Sequence, residues 1–262
     1  MQKSEEITVE SASLRLLRAS EVEREFVPSA PLYRTLQWLR EFIIEPHPDL
    51  GRKGPICPFA PISLQQDHIW MAQVAEENPS LERIAAIITE YRDLFLATEP
   101  VSGPNAIYKA FLVIFPTLAA KGSAGCAFVD TVQQRLKKYF VEMGLMIGEF
   151  HSANDSPGLR NPNFRPLRSP IPMLAIRHMV DSDLPFLVRK EYAADLRSSF
   201  LRSYLSRLST TLSPAMFEQA LNGLIVAEIE AWIDKAKAGE APALATMFRA
   251  RPVREEPAIR AP

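Results

Sequence analysis

The spacing of apolar residues along this chain alternates between a helical and a strand-like pattern. Apolar positions that recur every three or four residues predict helices over residues 31–44, 80–96, 125–144, 184–208 and 214–238. Short runs rich in aromatic and β-branched residues predict strands over residues 69–74, 106–115, 145–151 and 173–179. Helices and strands therefore mix along the whole chain.

The same pattern assigns the faces of two helices. On the helix over residues 125–144, an apolar stripe through Val129 and Leu136 is expected to face the core, with Gln133 and Lys137 on the opposite side. On the last helix, one continuous buried face is expected from Phe217, Leu221, Leu224, Ile225, Ile229, Trp232 and Ile233.

The order of these elements predicts an α+β fold with a mostly antiparallel sheet of about four strands packed against helices. Two long helices end the domain, which we place at residues 29–248 as a single unit. Residues 1–28 are polar and charged, so they are predicted to be a flexible N-terminal arm. Residues 249–262 combine prolines with alternating charges and are predicted to be a disordered tail.

Composition narrows the classes of partner. The 30 basic residues are balanced by 31 acidic ones, so the chain has no broad cationic field for nucleic acid. Two cysteines cannot build a disulfide framework, and the start of the chain lacks the basic and apolar regions of a signal peptide. No apolar run approaches the roughly 18 residues of a membrane span. These features predict a soluble, cytoplasmic protein with no nucleic-acid or membrane partner.

Candidate chemistry concentrates around one loop. His151 ends a predicted strand, His178 lies on the next strand, and the connection between them is rich in arginine and proline. Its arginines are Arg160, Arg165 and Arg168, with Arg177 just beyond. Because prolines restrict the loop and guanidinium groups recognise carboxylates and phosphates, the segment is predicted to hold an anionic cofactor or substrate between two histidines. Alternatively, Asp155, Asp181 and Asp183 neutralise the arginines internally.

A second candidate is Cys57, in the segment Cys57-Pro58-Phe59-Ala60. A Cys-Pro dipeptide can present sulfur to haem iron, but cysteine is also among the most buried residue types, so packing beneath the loop is the alternative. The histidine spacings match no zinc motif. The sequence also lacks a Gly-x-Ser-x-Gly elbow, a P-loop and a dinucleotide fingerprint, which removes the usual support for hydrolase, NTPase and Rossmann functions.

Three segments resemble motifs of the YqcI/YcgG-like proteins. Cys57-Pro58-Phe59-Ala60 is similar to their Pro-Cys-x-Phe segment, and His151 with Arg160 is similar to their His-Pro-x-Ser-Ser-Arg stretch. The segment from Ala175 to His178 resembles their Phe-Asn-x-His motif. Ser152 replaces the expected proline, and the loop is longer than in the family.

The resemblance implies a haem-dependent oxygenase that hydroxylates or further oxidises the nitrogen of an amino acid in secondary metabolism. It implies haem b as the cofactor, His151 as the axial iron ligand and His178 as a second pocket residue. The arginines Arg160, Arg165, Arg168 and Arg177 would pair with the haem propionates, and Cys57 would lie beside the cofactor. Glu149 is the candidate acid that holds a basic amino-acid substrate.

Two alternatives stay open at this stage. The same anionic pocket suits a non-catalytic haem- or small-ligand-binding protein. An assembly role is the other reading, in which the long C-terminal helices pair with a second copy in a homodimer.

Overall fold

The structure, a computed structural model, describes residues 15–239. One five-stranded sheet in the order β1-β2-β3-β5-β4 forms its centre. The strands are β1 (Leu17–Arg18), β2 (Ile69–Gln73), β3 (Ala110–Ile114), β4 (Leu145–Phe150) and β5 (Met173–His178). Only the β2–β3 pairing is parallel within this sheet; the other three are antiparallel.

Nine helices surround the sheet in the described part of the chain. They are α1 (Ala19–Glu25), α2 (Pro31–Trp38), α3 (Ala60–Gln65), α4 (Leu81–Ala97), α5 (Pro116–Ala119), α6 (Ser123–Glu142), α7 (Leu184–Leu187), α8 (Ala194–Leu208) and α9 (Pro214–Lys237). A π-helical turn, Leu39–Ile43, continues α2. None of these helices is both long and apolar enough to span a membrane.

The sheet separates two apolar cores because successive side chains of a strand point to opposite faces. On β3, Phe111 and Val113 pack with α4 and α6, whereas Leu112 and Ile114 pack with α1, α2 and the π-helical turn. The crossover through α4 explains the parallel β2–β3 pair, since parallel neighbours need a long connection.

A third apolar cluster joins the C-terminal helices to the rest of the domain. Val141 of α6 and Met146 of β4 pack with α7, with α8 and with part of α9. Tyr204 of α8 is fully buried there, and its hydroxyl donates to the carbonyl of Asp181 at 2.6 Å. The two long C-terminal helices thus form a hairpin on the outside of α6.

The predicted α+β class, the mostly antiparallel sheet and the two long C-terminal helices are confirmed. The fifth strand, β1, comes from the predicted flexible arm: Leu17 pairs with Met71, and Val22 of α1 is completely buried. The arm prediction is therefore wrong for residues 17–25. Burial of Leu17, Ala19 and Val22 removes apolar surface from water, which stabilises this segment against the rest of the domain. Residues 1–14 and 249–262 lie outside the described residues.

Three element predictions also need correction. Residues 106–108 form a 3-10 turn and the strand begins only at Ala110. The helix predicted over residues 184–208 is two helices, α7 and α8, separated by residues 188–193. On α6, Gln133 and Lys137 are buried, at 6% and 5% exposure, although the sequence pattern placed them on the solvent side.

Candidate functional site

The two histidines predicted to share a site lie at opposite ends of the β4–β5 hairpin. Phe150 is paired with Met173, whereas His178 is paired with Leu145 at the other end. Five residue steps of about 3.3 Å separate the two ends, a distance of about 17 Å. The predicted convergence of His151 and His178 is therefore wrong, because the long loop returns the chain beside His151 and not beside His178.

His151 is buried against α6, with only 2% of its surface exposed. Its Nε2 atom lies 2.8 Å from Oδ1 of Asp130. Its Nδ1 atom is buried and has no hydrogen-bond partner within residues 15–239. The ring is consequently a member of a carboxylate–imidazole pair whose carboxylate is 38% exposed, and its second nitrogen, Nδ1, is enclosed by the protein.

The loop arginines are largely neutralised by aspartates, as in the alternative drawn from the sequence. Arg168 donates to Oδ1 of Asp155 at 2.9 Å, and Arg165 lies 3.7 Å from the same atom. Arg177 makes two hydrogen bonds to Asp183, at 2.7 and 2.5 Å. Exposed Arg160 makes no side-chain hydrogen bond or ion pair among the described residues.

Cys57 lies on the far side of the sheet from His151. It packs, half-buried, with the core formed by α1, α2 and the π-helical turn, and its backbone N–H donates to the carbonyl of Ile43 at 3.0 Å. His151 instead contacts α6, which covers the other face. Cys57 and His151 therefore do not line one pocket.

These positions do not fit the haem that the resemblance implied. An axial ligand needs a free nitrogen beside an open slot, whereas Nε2 of His151 lies against Asp130 and Nδ1, although it has no partner among the described residues, is buried with the rest of the ring. Within residues 15–239, no group of three or more His, Cys, Asp or Glu side chains is arranged as a metal-ligand set. The arginines that the resemblance assigned to the haem propionates do not converge either. Arg177 pairs with Asp183 near the end of β5 that lies away from His151.

A buried polar row on α6 was missed by the sequence analysis. Gln133 and Lys137 are buried, whereas the Asp130 side chain at the start of the row is 38% exposed. Gln133 donates to the carbonyl of Ile147 on β4 at 3.0 Å. Lys137 donates to the Tyr192 hydroxyl at 2.6 Å and to the Phe186 carbonyl at 3.1 Å. Their spacing of i, i+3 and i+7 could have indicated from the sequence that these three residues lie on one face of the helix.

Burial changes the acid–base properties of this row. It lowers the pKa of Lys137 to about 8 and raises the pKa of Glu149, although attraction between the two charges acts in the opposite direction on both. The Lys137 ammonium also lies over the ring of Tyr192, 4.5 Å from its centroid. The Phe186 carbonyl and the Tyr192 hydroxyl both belong to residues 184–193. Lys137 therefore binds the segment between β5 and α8 to α6.

His178 belongs to a different buried group, around the end of α4. Lys109 is completely buried and donates to the carbonyls of Phe95 and Thr98, both at 2.6 Å. These are carbonyls at the C-terminus of α4, where a cation is favoured by the helix dipole. Burial, reinforced by Lys109, lowers the pKa of His178 to about 4. The imidazole is therefore neutral near pH 7 and packs on Phe95, 5.0 Å away.

The described residues do form an open cavity beside the arginine-rich loop. It has a volume of about 750 Å³ and lies between α2, the π-helical turn and the loop end around Arg168. Its walls are aromatic and polar: Tyr33, Trp38 and Phe42 line it together with Arg34, Gln37, Glu41 and Arg168. We call this cavity the α2 groove. Of the residues singled out from the sequence, it contains Arg168.

Edge-to-face and tilted contacts between aromatic rings position the floor of the α2 groove. The ring of Trp38 is 5.9 Å from Phe150 at the end of β4 and 6.1 Å from Phe42. Phe42 in turn contacts Phe164 of the loop at 6.2 Å. The π-helical turn carries Phe42 and Glu41, and such turns often occur at functional sites. The groove is therefore tied to both the sheet and the loop.

Residues 32–218 match the family model described as a domain of unknown function, DUF6875. This range covers most of the chain. The protein belongs to the DUF6875 family. Its DUF6875 region includes the α2 groove except for Pro28, and it ends near the start of α9. No curated protein and no solved structure matches the chain.

Proposed function

We propose that this DUF6875 protein binds a small metabolite that carries a carboxylate and an amine, of the amino-acid class, in the α2 groove. The observation that carries the proposal is the meeting of Arg34 and Arg168 with an aromatic floor in one open cavity. This develops the small-ligand-binding alternative drawn from the sequence and keeps Arg168 as a binding residue.

The groove offers complementary groups for each part of such a ligand. The planar guanidinium of Arg34 suits a carboxylate, with which it can form two parallel hydrogen bonds. Among the described residues, this side chain makes no hydrogen bond or ion pair of its own. The Glu41 carboxylate can accept from an ammonium group, and the face of Trp38 can cover a planar or cationic side chain.

Arg168 can share its charge with a ligand because its present ion pair is weak. Its partner Asp155 is 80% exposed, and the Arg168 side chain is 52% exposed. Surface pairs of this kind contribute only about 0–1 kcal/mol. A carboxylate held between Arg168 and the unpaired Arg34 would form hydrogen bonds worth roughly 1.5–3 kcal/mol each.

Binding to the groove can be measured by isothermal titration calorimetry and, for the probes that do not fluoresce, by the intrinsic fluorescence to which Trp38 contributes together with Trp70 and Trp232. The probes are L-arginine, L-lysine, L-phenylalanine and L-tryptophan, each compared with its carboxamide. We expect the acids to bind and the carboxamides to bind at least about 10-fold more weakly, since each lost charge-assisted bond costs about 1.4 kcal/mol or more.

Arg34→Gln should weaken binding of the best probe by about 10- to 100-fold. The matched control is Arg135→Gln, an exposed arginine on α6 across the sheet, which pairs with Glu82 at 3.1 Å and should leave binding unchanged. Equal affinity for acids and carboxamides, or equal loss in both variants, would remove the support for an anion site in this groove.

The haem-dependent N-oxygenase stays a prediction from the resemblance alone. It requires a conformation in which the protein opens beside the buried His151 ring and uncovers one of its nitrogens. The α2 groove offers no histidine or cysteine to iron among its lining residues.

A further inference from the structure

The outer face of α9 is apolar and exposed, contrary to the buried face expected from the sequence. The helix packs on α8 through Ala220, Leu224 and Ala227. The rest of its surface presents six large apolar residues, Phe217, Leu221, Ile225, Val226, Ile229 and Ile233, which are 38–53% exposed. Arg197 pairs with Glu230 and Arg202 with Glu228, so polar contacts accompany the apolar packing of α9 on α8.

Five of these residues form a ridge with a strict spacing of four, from Phe217 to Ile233. Its length is about 24 Å, at 1.5 Å per residue. Ridges with this spacing interdigitate when two helices cross at about −50°, the commonest packing of helices in globular proteins. A continuous exposed apolar surface of this kind marks an interaction site in soluble proteins.

We propose that the occupant of this ridge is a second copy of the chain, with two α9 helices packed antiparallel about a two-fold axis at Ile225. The ridge is symmetric about this residue, because Phe217 and Ile233 are each eight positions away, and a two-fold interface must be self-complementary. An antiparallel pair brings Glu218 of one copy towards Lys235 of the other. A parallel pair would bring Glu218 towards the partner's Glu218, which is unfavourable.

The antiparallel arrangement also adds a partner residue to a second cavity. This cavity, of about 680 Å³, lies between residues 190–194, Arg197 and the end of α9, where Ile233 is part of its wall. The partner subunit's Phe217 would face Ile233 and close the mouth of the cavity. Each copy would thereby cover residues 190–194 of the other, the segment in which Tyr192 is hydrogen-bonded to Lys137 of α6.

The mass of the full chain in sedimentation velocity tests the dimer. We expect a mass twice the 29.4 kDa of one chain at micromolar concentration. Ile225→Glu should weaken the dimer by at least about 100-fold, because the two-fold axis would bury two carboxylates next to each other. The control is Leu159→Glu in the loop, where the native side chain is 59% exposed, and this variant should stay dimeric.

Disulfide trapping tests the orientation. Under mild oxidation Ile225→Cys should cross-link to itself, whereas Phe217→Cys should not, because its two copies would lie about 24 Å apart. The wild-type chain, which contains Cys57 and Cys126, serves as the background control. Efficient cross-linking of Phe217→Cys would overturn the antiparallel arrangement. A 29.4 kDa wild-type species would overturn the dimer and leave residues 240–262 of the same chain as the alternative cover of the ridge.

Discussion

The pairing of Arg177 with Asp183 gives the sharpest test of how the arginines are used. The Asp183 side chain is 1% exposed and accepts hydrogen bonds from both terminal nitrogens of Arg177 and from the backbone N–H of Val180, the latter at 2.8 Å. Asp183→Asn keeps the shape of the side chain. It replaces one acceptor oxygen with an NH₂ donor and removes the charge that balances the guanidinium.

The expected cost follows from the burial of the two partners. Removing one partner of a fully buried ion pair costs about 3–5 kcal/mol. Arg177 is 32% exposed and keeps its hydrogen bond to the carbonyl of His178 at 3.0 Å, so water and this carbonyl compensate in part. We therefore expect Asp183→Asn to lower the free energy of unfolding by about 2–3 kcal/mol.

Urea unfolding followed by far-ultraviolet circular dichroism measures this change. With a denaturant slope of about 3 kcal/mol per molar, the midpoint should fall by about 1 M. The control is Glu82→Gln, which removes the exposed pair with Arg135 and should cost less than about 1 kcal/mol. If Asp183→Asn moves the midpoint no further than this control, Asp183 does not hold Arg177, and that arginine is available to an anion as the sequence first suggested.

Two further outcomes follow from the histidines. The pKa of His178 is lowered from 6.5 to about 4, so the unfolded chain binds the extra proton between these values and stability should rise with pH across this window. His178→Phe should reduce the rise by up to about 3 kcal/mol, as measured by urea midpoints at pH 4.5 and 7, and an unchanged pH slope would contradict the burial of this imidazole. For His151, absorption spectra with added haemin should be the same for wild type and His151→Ala, because Nε2 lies against Asp130 and Nδ1 is buried. A Soret band present only in the wild type would instead restore the haem proposal.

The local elements were accessible from the sequence because they depend on neighbours in the chain. The periods of apolar residues identified α4, α6 and α9, and the strands β2, β4 and β5, to within a few residues. They did not identify β1, because a strand of two residues is too short to show an alternating pattern. Its strand conformation depends on the pairing of Leu17 with Met71. They also joined α7 to α8, because the local pattern does not show that Lys137 of α6 binds the Phe186 carbonyl and the Tyr192 hydroxyl around the break between these helices.

The candidate site was less accessible because it depends on register and on pairing across the chain. The loop arginines and their proline-rich setting were recognised, and Arg168 does line the α2 groove. The sequence named Asp155 and Asp183 as possible arginine partners but could not decide between internal pairing and an anion site, since each ion pair requires the chain to fold first. Arg34, Trp38 and Glu41 were missed because they join the loop only in space.

By itself, the sequence determined the fold class, most helices and strands, and the concentration of cations after β4. Those properties arise from local spacing and composition. The tertiary structure decided which residues meet: it separated His151 from His178 by the length of a strand, buried Lys137 and exposed the ridge of α9. The physical reason is that strand register and helix rotation depend on contacts between segments far apart in the chain, and each such contact selects one of several arrangements that the local pattern allows.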